Sequence, residues 1–209
     1  MAEKKVRSPR QERSIEKREK ILKTAKDLFS EKVYFNVTTN EIAKTAGLSV
    51  GTLYSYFASK EDILTSLLER YNQAFVDRVF DELSSWESLE LFKQAPKDWL
   101  NRLIDQLLQT EDKKFHAQVE MLAYAVPEAQ TLLEEHNEKM KALTYQCFLD
   151  YQEKKSDAKL KILSLVVFDF TSALVDELLY HNHSDREFTQ VKKTGVDSLY
   201  RIIASYLDD

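Results

Sequence analysis

Short hydroxyl-bearing residues crowd one stretch of this chain. Ser49, Val50, Gly51, Thr52, Tyr54, Ser55 and Tyr56 follow closely on Thr38, Thr39 and Asn40, and Lys60 closes the series. Serine and threonine hydroxyls donate to or accept from bases and phosphates, and the methyl groups of Val50 and Thr52 suit a thymine methyl. Tyr54 and Tyr56 are long enough to reach a phosphate oxygen, and Lys60 adds a cation. Catalysis would need convergent acid, base or nucleophilic groups, and the sequence shows none. It has no Gly-rich phosphate loop, no paired zinc-ligand motif and no nucleophile elbow. These residues call for recognition of a polyanion, no enzymatic activity, no cofactor and no metal.

Local signals say how these groups are held. Thr38-Thr39-Asn40-Glu41 matches a capping box and starts a helix through Ile42 and Ala43. Gly47 stops that helix as a left-handed cap. Ser49 is the N-cap of a second, short helix reaching about Tyr56. Ser59-Lys60-Glu61-Asp62 opens the next in the same manner. Ile42, Ala43, Leu48, Leu53 and Phe57 can pack the pair together, leaving the hydroxyl-rich residues outside. Before them, from Arg13, the face of Ile21, Leu22, Ala25, Leu28 and Phe29 predicts an amphipathic helix. Val33–Val37 is a break. A helix, a tight turn and a second helix with short outward side chains fit a major groove ~12 Å wide.

The stretch Thr38–Lys60, with its Gly-Leu-Ser-Val-Gly-Thr-Leu-Tyr-Ser-Tyr-Phe-x-x-Lys core, resembles the DNA-binding domain of the tetracycline-repressor (TetR) family. The resemblance covers about residues 14–70. It implies phosphate contacts from Thr38 or Thr39 and from Lys60. Ser49, Val50, Gly51 and Thr52 would open the recognition helix, and Tyr54 and Tyr56 would meet backbone or bases. The helix departs from strong base readers in carrying no Arg, Lys, Asn or Gln, so bidentate readout of guanine or adenine is absent from it. Methyl contacts, DNA shape, Asn40 or the basic N-terminal arm must carry specificity instead.

Charge is divided along the chain. Residues 1–60 hold 13 Lys+Arg against 7 Asp+Glu, giving +6, whereas 61–209 sum to -11. A basic head on an acidic body fits a nucleic-acid binder with a separate regulatory body. Only 3 Gly and 3 Pro in 209 residues favour long helices, and no segment alternates with period 2. The expected fold is all-α: a basic disordered arm at 1–13, a three-helix helix-turn-helix domain at 14–60, and a helical effector-binding and dimerisation domain at 61–209. Within the last, helices are expected from Ser59 to the mid-80s, from Pro96, over 112–124, from Pro127 to about Lys154, over 157–181, and from Ser184 to about Leu207. No apolar run reaches the ~18 residues of a membrane span. The one cysteine, Cys147, reads as a buried small hydrophobe, and the basic N-terminus lacks a signal peptide's apolar run. Cytoplasmic residence is the expectation.

The resemblance further implies a homodimer built from the last two helices, on a pseudo-palindromic double-stranded DNA operator. The apolar stripes there supply Leu163, Val167, Phe170, Leu174, Leu199, Ile203 and Tyr206 as the expected dimer face. It also implies an unidentified small-molecule effector in the body, acting through a lever at Ile63–Leu83 and releasing DNA. Trp99, Leu103, Phe115, Tyr124, Tyr145 and Asp169 are the candidate effector contacts; Asp169 is included because it interrupts an apolar run, and a buried carboxylate needs a partner. His181 and His183, at i, i+2, share no helical face and read as a turn rather than a metal site. The alternative is a helix-turn-helix protein governed by a partner or by no effector.

Overall fold

Capping chemistry and apolar periodicity divide the chain into helices. The computed structural model describes residues 9–83, 85–109, 113–123, 125–152 and 158–207, and among them every regular element is helical. They are α1 (Pro9–Glu31), a 3-10 turn (Tyr34–Asn36), α2 (Thr39–Thr45), α3 (Val50–Tyr54), α4 (Lys60–Leu83), α5 (Trp86–Gln94), α6 (Pro96–Leu108), α7 (Lys113–Ala123), α8 (Pro127–Gln152), α9 (Ala158–Tyr180) and α10 (Asp185–Leu207).

Two differences from the sequence reading stand out. α1 begins at Pro9, so 9–13 are helical rather than arm; proline's fixed φ and missing N–H suit a first helical turn. Residues 1–8 of the expected arm lie outside the described residues. The second difference is α5, too short to stand out from the periodicity around it. It starts where the Ser85 hydroxyl accepts the Ser88 N–H.

The chain forms two compact units, one of 1–71 with 114–132 and the other of 72–113 with 133–209. In the first, Ile21, Leu22, Ala25 and Phe29 of α1 meet Ile42, Ala43, Leu53, Phe57, Ile63 and Leu64 in one core. Phe115, Val119, Leu122, Val126 and Ala129 belong to the same core. Phe115 lies edge-on to Tyr71 at 5.6 Å and beneath the Lys26 ammonium at 5.6 Å. The head is thus completed by chain from α7 and the start of α8.

In the second unit, α6, α9 and α10 pack around Trp99, Leu100, Ile104, Leu163, Val167, Leu174, Leu199 and Ile203. The buried Trp99 indole donates to the Ser88 hydroxyl at 2.7 Å, which satisfies both groups. The turn between α9 and α10 is closed by Glu177, whose carboxylate lies 3.2 Å from both His181 Nδ1 and His183 Nε2. Ser184 and Glu187 then cap α10 reciprocally, the Ser184 N–H donating to Glu187 Oε2 at 3.0 Å and the Glu187 N–H donating to Ser184 Oγ at 3.4 Å.

α9 and α10 approach closely because position 195 is glycine. A Cβ there would lie 2.4 Å from Leu174 Cδ2 and 3.0 Å from its Cγ. Leu174 is itself buried, so moving it aside disturbs the core it packs in. Gly195→Val should therefore destabilise this unit by about 1–3 kcal/mol through overpacking, despite leaving glycine's poor helix propensity behind. Urea unfolding of the variant should show the loss, and Leu174→Ala in the same chain should relieve part of it.

Candidate nucleic-acid interface

The local geometry of α2 and α3 follows the caps. The Thr38 hydroxyl accepts the Glu41 N–H at 3.2 Å and starts α2. The Glu41 side chain does not complete the box; it pairs with Lys32 instead. At the other end Gly47 has φ 64°, where any Cβ is strained. The Gly47 N–H donates to Lys44 O at 3.0 Å and the Leu48 N–H to Ala43 O at 2.9 Å, the paired bonds of a Schellman motif. Ser49 Oγ then accepts the Thr52 N–H at 3.1 Å and starts α3.

Burial divides the pair into two faces. Ile42, Ala43, Ala46, Leu53 and Phe57 are buried. Thr38, Asn40, Ser49, Gly51, Tyr54 and Ser55 are exposed, while Thr39, Val50, Thr52 and Tyr56 are half-buried. Tyr54 is 51% exposed although aromatic, and its hydroxyl lies 3.0 Å from Thr39 Oγ1. That bond ties the start of α2 to the end of α3 and holds both hydroxyls on one surface. The Ser49 and Thr52 hydroxyls lie 2.8 Å apart, and Ser55 Oγ donates to Thr52 O at 2.6 Å. The Ser14 hydroxyl donates to the Tyr56 hydroxyl at 3.3 Å, fixing α1 against the end of α3. The surface is a ridge of small polar groups, with Gly51 at its second helical position and only the Ser49 hydroxyl near it, 4.0 Å from where a Cβ would be.

Lys60 has a second task. Its ammonium donates to Tyr34 O and Val37 O, each at 3.0 Å, and sits 4.1 Å from the Tyr34 ring centroid. It thereby caps the 3-10 turn that leads into α2. Burial lowers its pKa, against an opposing pull from Glu61. Tyr34 is buried, and its hydroxyl donates to Glu61 Oε1 at 3.2 Å. Burial first, and the Glu61 charge second, hold that phenol far above its usual pKa. Of three ammonium protons, two are committed to the loop carbonyls. Lys60→Met should cost about 1–3 kcal/mol of head stability, because two charge-assisted bonds to carbonyls are lost. Thermal unfolding without DNA measures this separately from any binding effect.

Other expected site residues fall elsewhere. Asp169 is exposed on α9, so it is not a buried carboxylate that must find a partner inside this unit. Asp176 on the same helix is half-buried, and burial raises its pKa. Phe115 belongs to the head's core, not to the interior of the second unit. Trp99 is buried there with its indole N–H satisfied, and Leu103 and Tyr145 are partly buried against the same core. Tyr124 lies outside the described residues.

The expected dimer stripe is likewise corrected. Leu163, Val167, Leu174, Leu199 and Ile203 are buried in the chain's own core. Phe170 is half-buried against that core, and Tyr206 is exposed. Ile162, Leu165 and Val166 of α9 are 55%, 38% and 45% exposed. A second series at 162, 165, 166, 169 and 173 runs beside the buried one, and its spacing was the signal in the sequence.

The helical fold has relatives among known proteins. Residues 21–67 match the model for bacterial regulatory proteins of the tetR family, and 77–205 match the model for the tetracyclin repressor-like C-terminal domain. An uncharacterised HTH-type transcriptional regulator of Bacillus subtilis, YuxN, is 33% identical over 97 residues, covering 46% of this chain and 32% of its own length. The chain therefore matches about a third of the curated relative's length. Among solved structures, GusR of Salmonella enterica superposes with a TM-score of 0.68 at 17% identity, covering 95% of this chain and 98% of that one. A TetR-family transcriptional regulator of Mesorhizobium loti gives 0.64 at 22% identity, with 91% and 98% covered. At those identities the structures establish a shared fold.

Proposed function

Because this chain belongs to the tetracycline-repressor family, we propose that it is a transcriptional regulator that binds double-stranded DNA as a homodimer and is released by a small molecule. The observation that carries the reading is the exposed polar ridge of α3, presented on a fully buried framework. The first turn of α3 meets base edges: Val50 and Thr52 offer methyl groups, and Ser49, Thr52 and Ser55 offer hydroxyls. Thr38, Thr39, Asn40, Tyr54, Tyr56 and the remaining proton of Lys60 meet phosphate and set the register. With no long hydrogen-bonding side chain in α3, specificity leans on shape and methyl contacts.

The dimer is supported by the Ile162–Leu165–Val166 face of α9, which needs an apolar partner, together with the exposed Tyr206 of α10. Two-fold symmetry would place two α3 helices one turn of DNA apart, about 34 Å, or a multiple of it. The effector reading is supported by the match of 77–205 to the repressor-like C-terminal model. Trp99, Leu103 and Tyr145 are its apolar candidates. α4 contributes residues to both units and is the candidate lever, since an effector must prefer one arrangement of the heads to regulate anything.

Selection from a pool of randomised duplexes tests the reading. The expected product is a site with two inverted half-sites, bound by a species that sediments as a dimer. Enrichment of no sequence, or binding by a lone subunit, would refute it.

A further inference from the structure

α1 carries two ridges of opposite charge, and the structure shows where each points. Arg13, Lys17 and Lys20 recur at i, i+4 and i+7, so they share one flank of the helix. Glu12, Glu16 and Glu19 repeat the same spacing one residue earlier, so their flank is turned by about 100°. All six are exposed. The acidic flank faces α4, where Glu19 Oε1 accepts from Arg70 Nη2 at 2.7 Å. The basic flank faces the recognition elements. Lys20 Nζ lies 3.7 Å from where a Cβ on Gly47 would be, at the turn between α2 and α3. Ser14, about 100° round the helix from Arg13 and on the side away from Glu12, is bonded to Tyr56 just beyond α3, so the basic flank lies nearer α3 than the acidic one does. Among the described residues, none of the three basic side chains has a carboxylate within ion-pair distance.

We propose that Arg13, Lys17 and Lys20 form a phosphate track that extends the DNA contact of each head beyond the helix-turn-helix. The inference rests on the DNA-binding reading above and deepens it. The three residues span about 10 Å of helix, and each long cationic side chain can take one phosphate. They lie before residues 21–67, so the family match does not reach them. The segregation by flank is what a solvated surface helix would not need. Interleaved charges in sequence become separate faces in space, and it is the positive one whose Lys20 reaches the turn that leads into α3. Phosphate contacts add affinity and register without reading sequence.

The test uses the full chain and a labelled 40-bp duplex of random sequence, with affinity measured from 50 to 200 mM salt. The variant is Arg13→Gln/Lys17→Gln/Lys20→Gln. Its charge-matched control is Lys23→Gln/Lys161→Gln/Lys193→Gln, whose positions are also exposed but lie off this flank. Each removed phosphate contact lowers the slope of log affinity against log salt by about 0.9. The track variant should therefore lose roughly 2–3 from the slope per bound head, and about 10- to 100-fold in affinity at 100 mM salt, while keeping wild-type helicity and unfolding temperature. The control should change both far less. Equal losses in the two variants, or an unchanged slope in the track variant, overturns the track alone. A wild-type chain that ignores the duplex at 50 mM salt overturns the DNA-binding reading itself, and the track with it.

Discussion

Gly51→Glu is expected to abolish DNA binding while leaving the head at least as stable as before. Position 51 is the second residue of α3 and is exposed; a Cβ there would have only the Ser49 hydroxyl near it, at 4.0 Å. A side chain at this position therefore meets no steric objection from the protein. Replacing a helical glycine gains up to about 1 kcal/mol of propensity, and a carboxylate in a first turn adds a favourable interaction with the helix dipole. In the complex the same carboxylate would project from the surface that approaches DNA, where like charge and lost shape complementarity act together. At least a 100-fold loss of affinity is expected, about 2.7 kcal/mol or more. Fluorescence anisotropy with the selected duplex measures the loss, and a thermal melt of the free protein measures the stability. Full-affinity binding by this variant would mean that α3 does not enter the groove.

Phe29→Ala should have the largest effect on stability. Phe29 is fully buried in the core that joins α1 to α2, α3 and α4. Its ring also lies edge-on to Tyr34 at 5.0 Å, and Tyr34 carries both the Glu61 bond and the Lys60 ammonium. Truncation removes the apolar burial and leaves a cavity beneath that turn, at a cost of about 3–5 kcal/mol. The chain has two units, so a single global transition cannot be assumed. Hydrogen exchange at the α2 and α3 amides reports on the head directly. Protection there should fall sharply, while amides of α9 and α10 keep theirs.

How much of this was legible in the sequence depends on how local the signal is. The hydroxyl caps at Thr38, Ser49, Ser59 and Ser184 are fixed by residues within four positions of one another and each forms, although Glu41 turns to Lys32 and leaves the box at Thr38 half made. Gly47 is equally local. The polar face of α3 was legible because packing takes only Leu53 from a helix of five residues. Lys60 was only half legible: its type and spacing marked it, but its two carbonyl partners come from a loop more than 20 residues earlier. The body was least legible. α9 carries apolar residues all round, and periodicity cannot say which stripe meets the chain's own core. Gly195 and Leu174 settle that by drawing α10 onto one side. Phe115 shows the same limit, since nothing near it in sequence tells which core it joins.

The charge pattern of α1 gives a related lesson. Read linearly, Glu12, Glu16 and Glu19 dilute the basic residues around them and weaken the case for a nucleic-acid partner. A helix at 3.6 residues per turn sorts the same letters onto separate flanks. Lys20 beside the Gly47 turn, and the bonds of Ser14 and Glu19, then tell which flank lies toward α3 and which toward α4.

The entry of α3 into the major groove is tested most directly by methylation protection of guanine N7, a major-groove atom, on the selected duplex. The expected pattern is two protected patches, centred 10–10.5 bp apart or a multiple of that, both erased by Gly51→Glu. Guanines that stay fully reactive under saturating protein, or patches that persist with the variant, would contradict it.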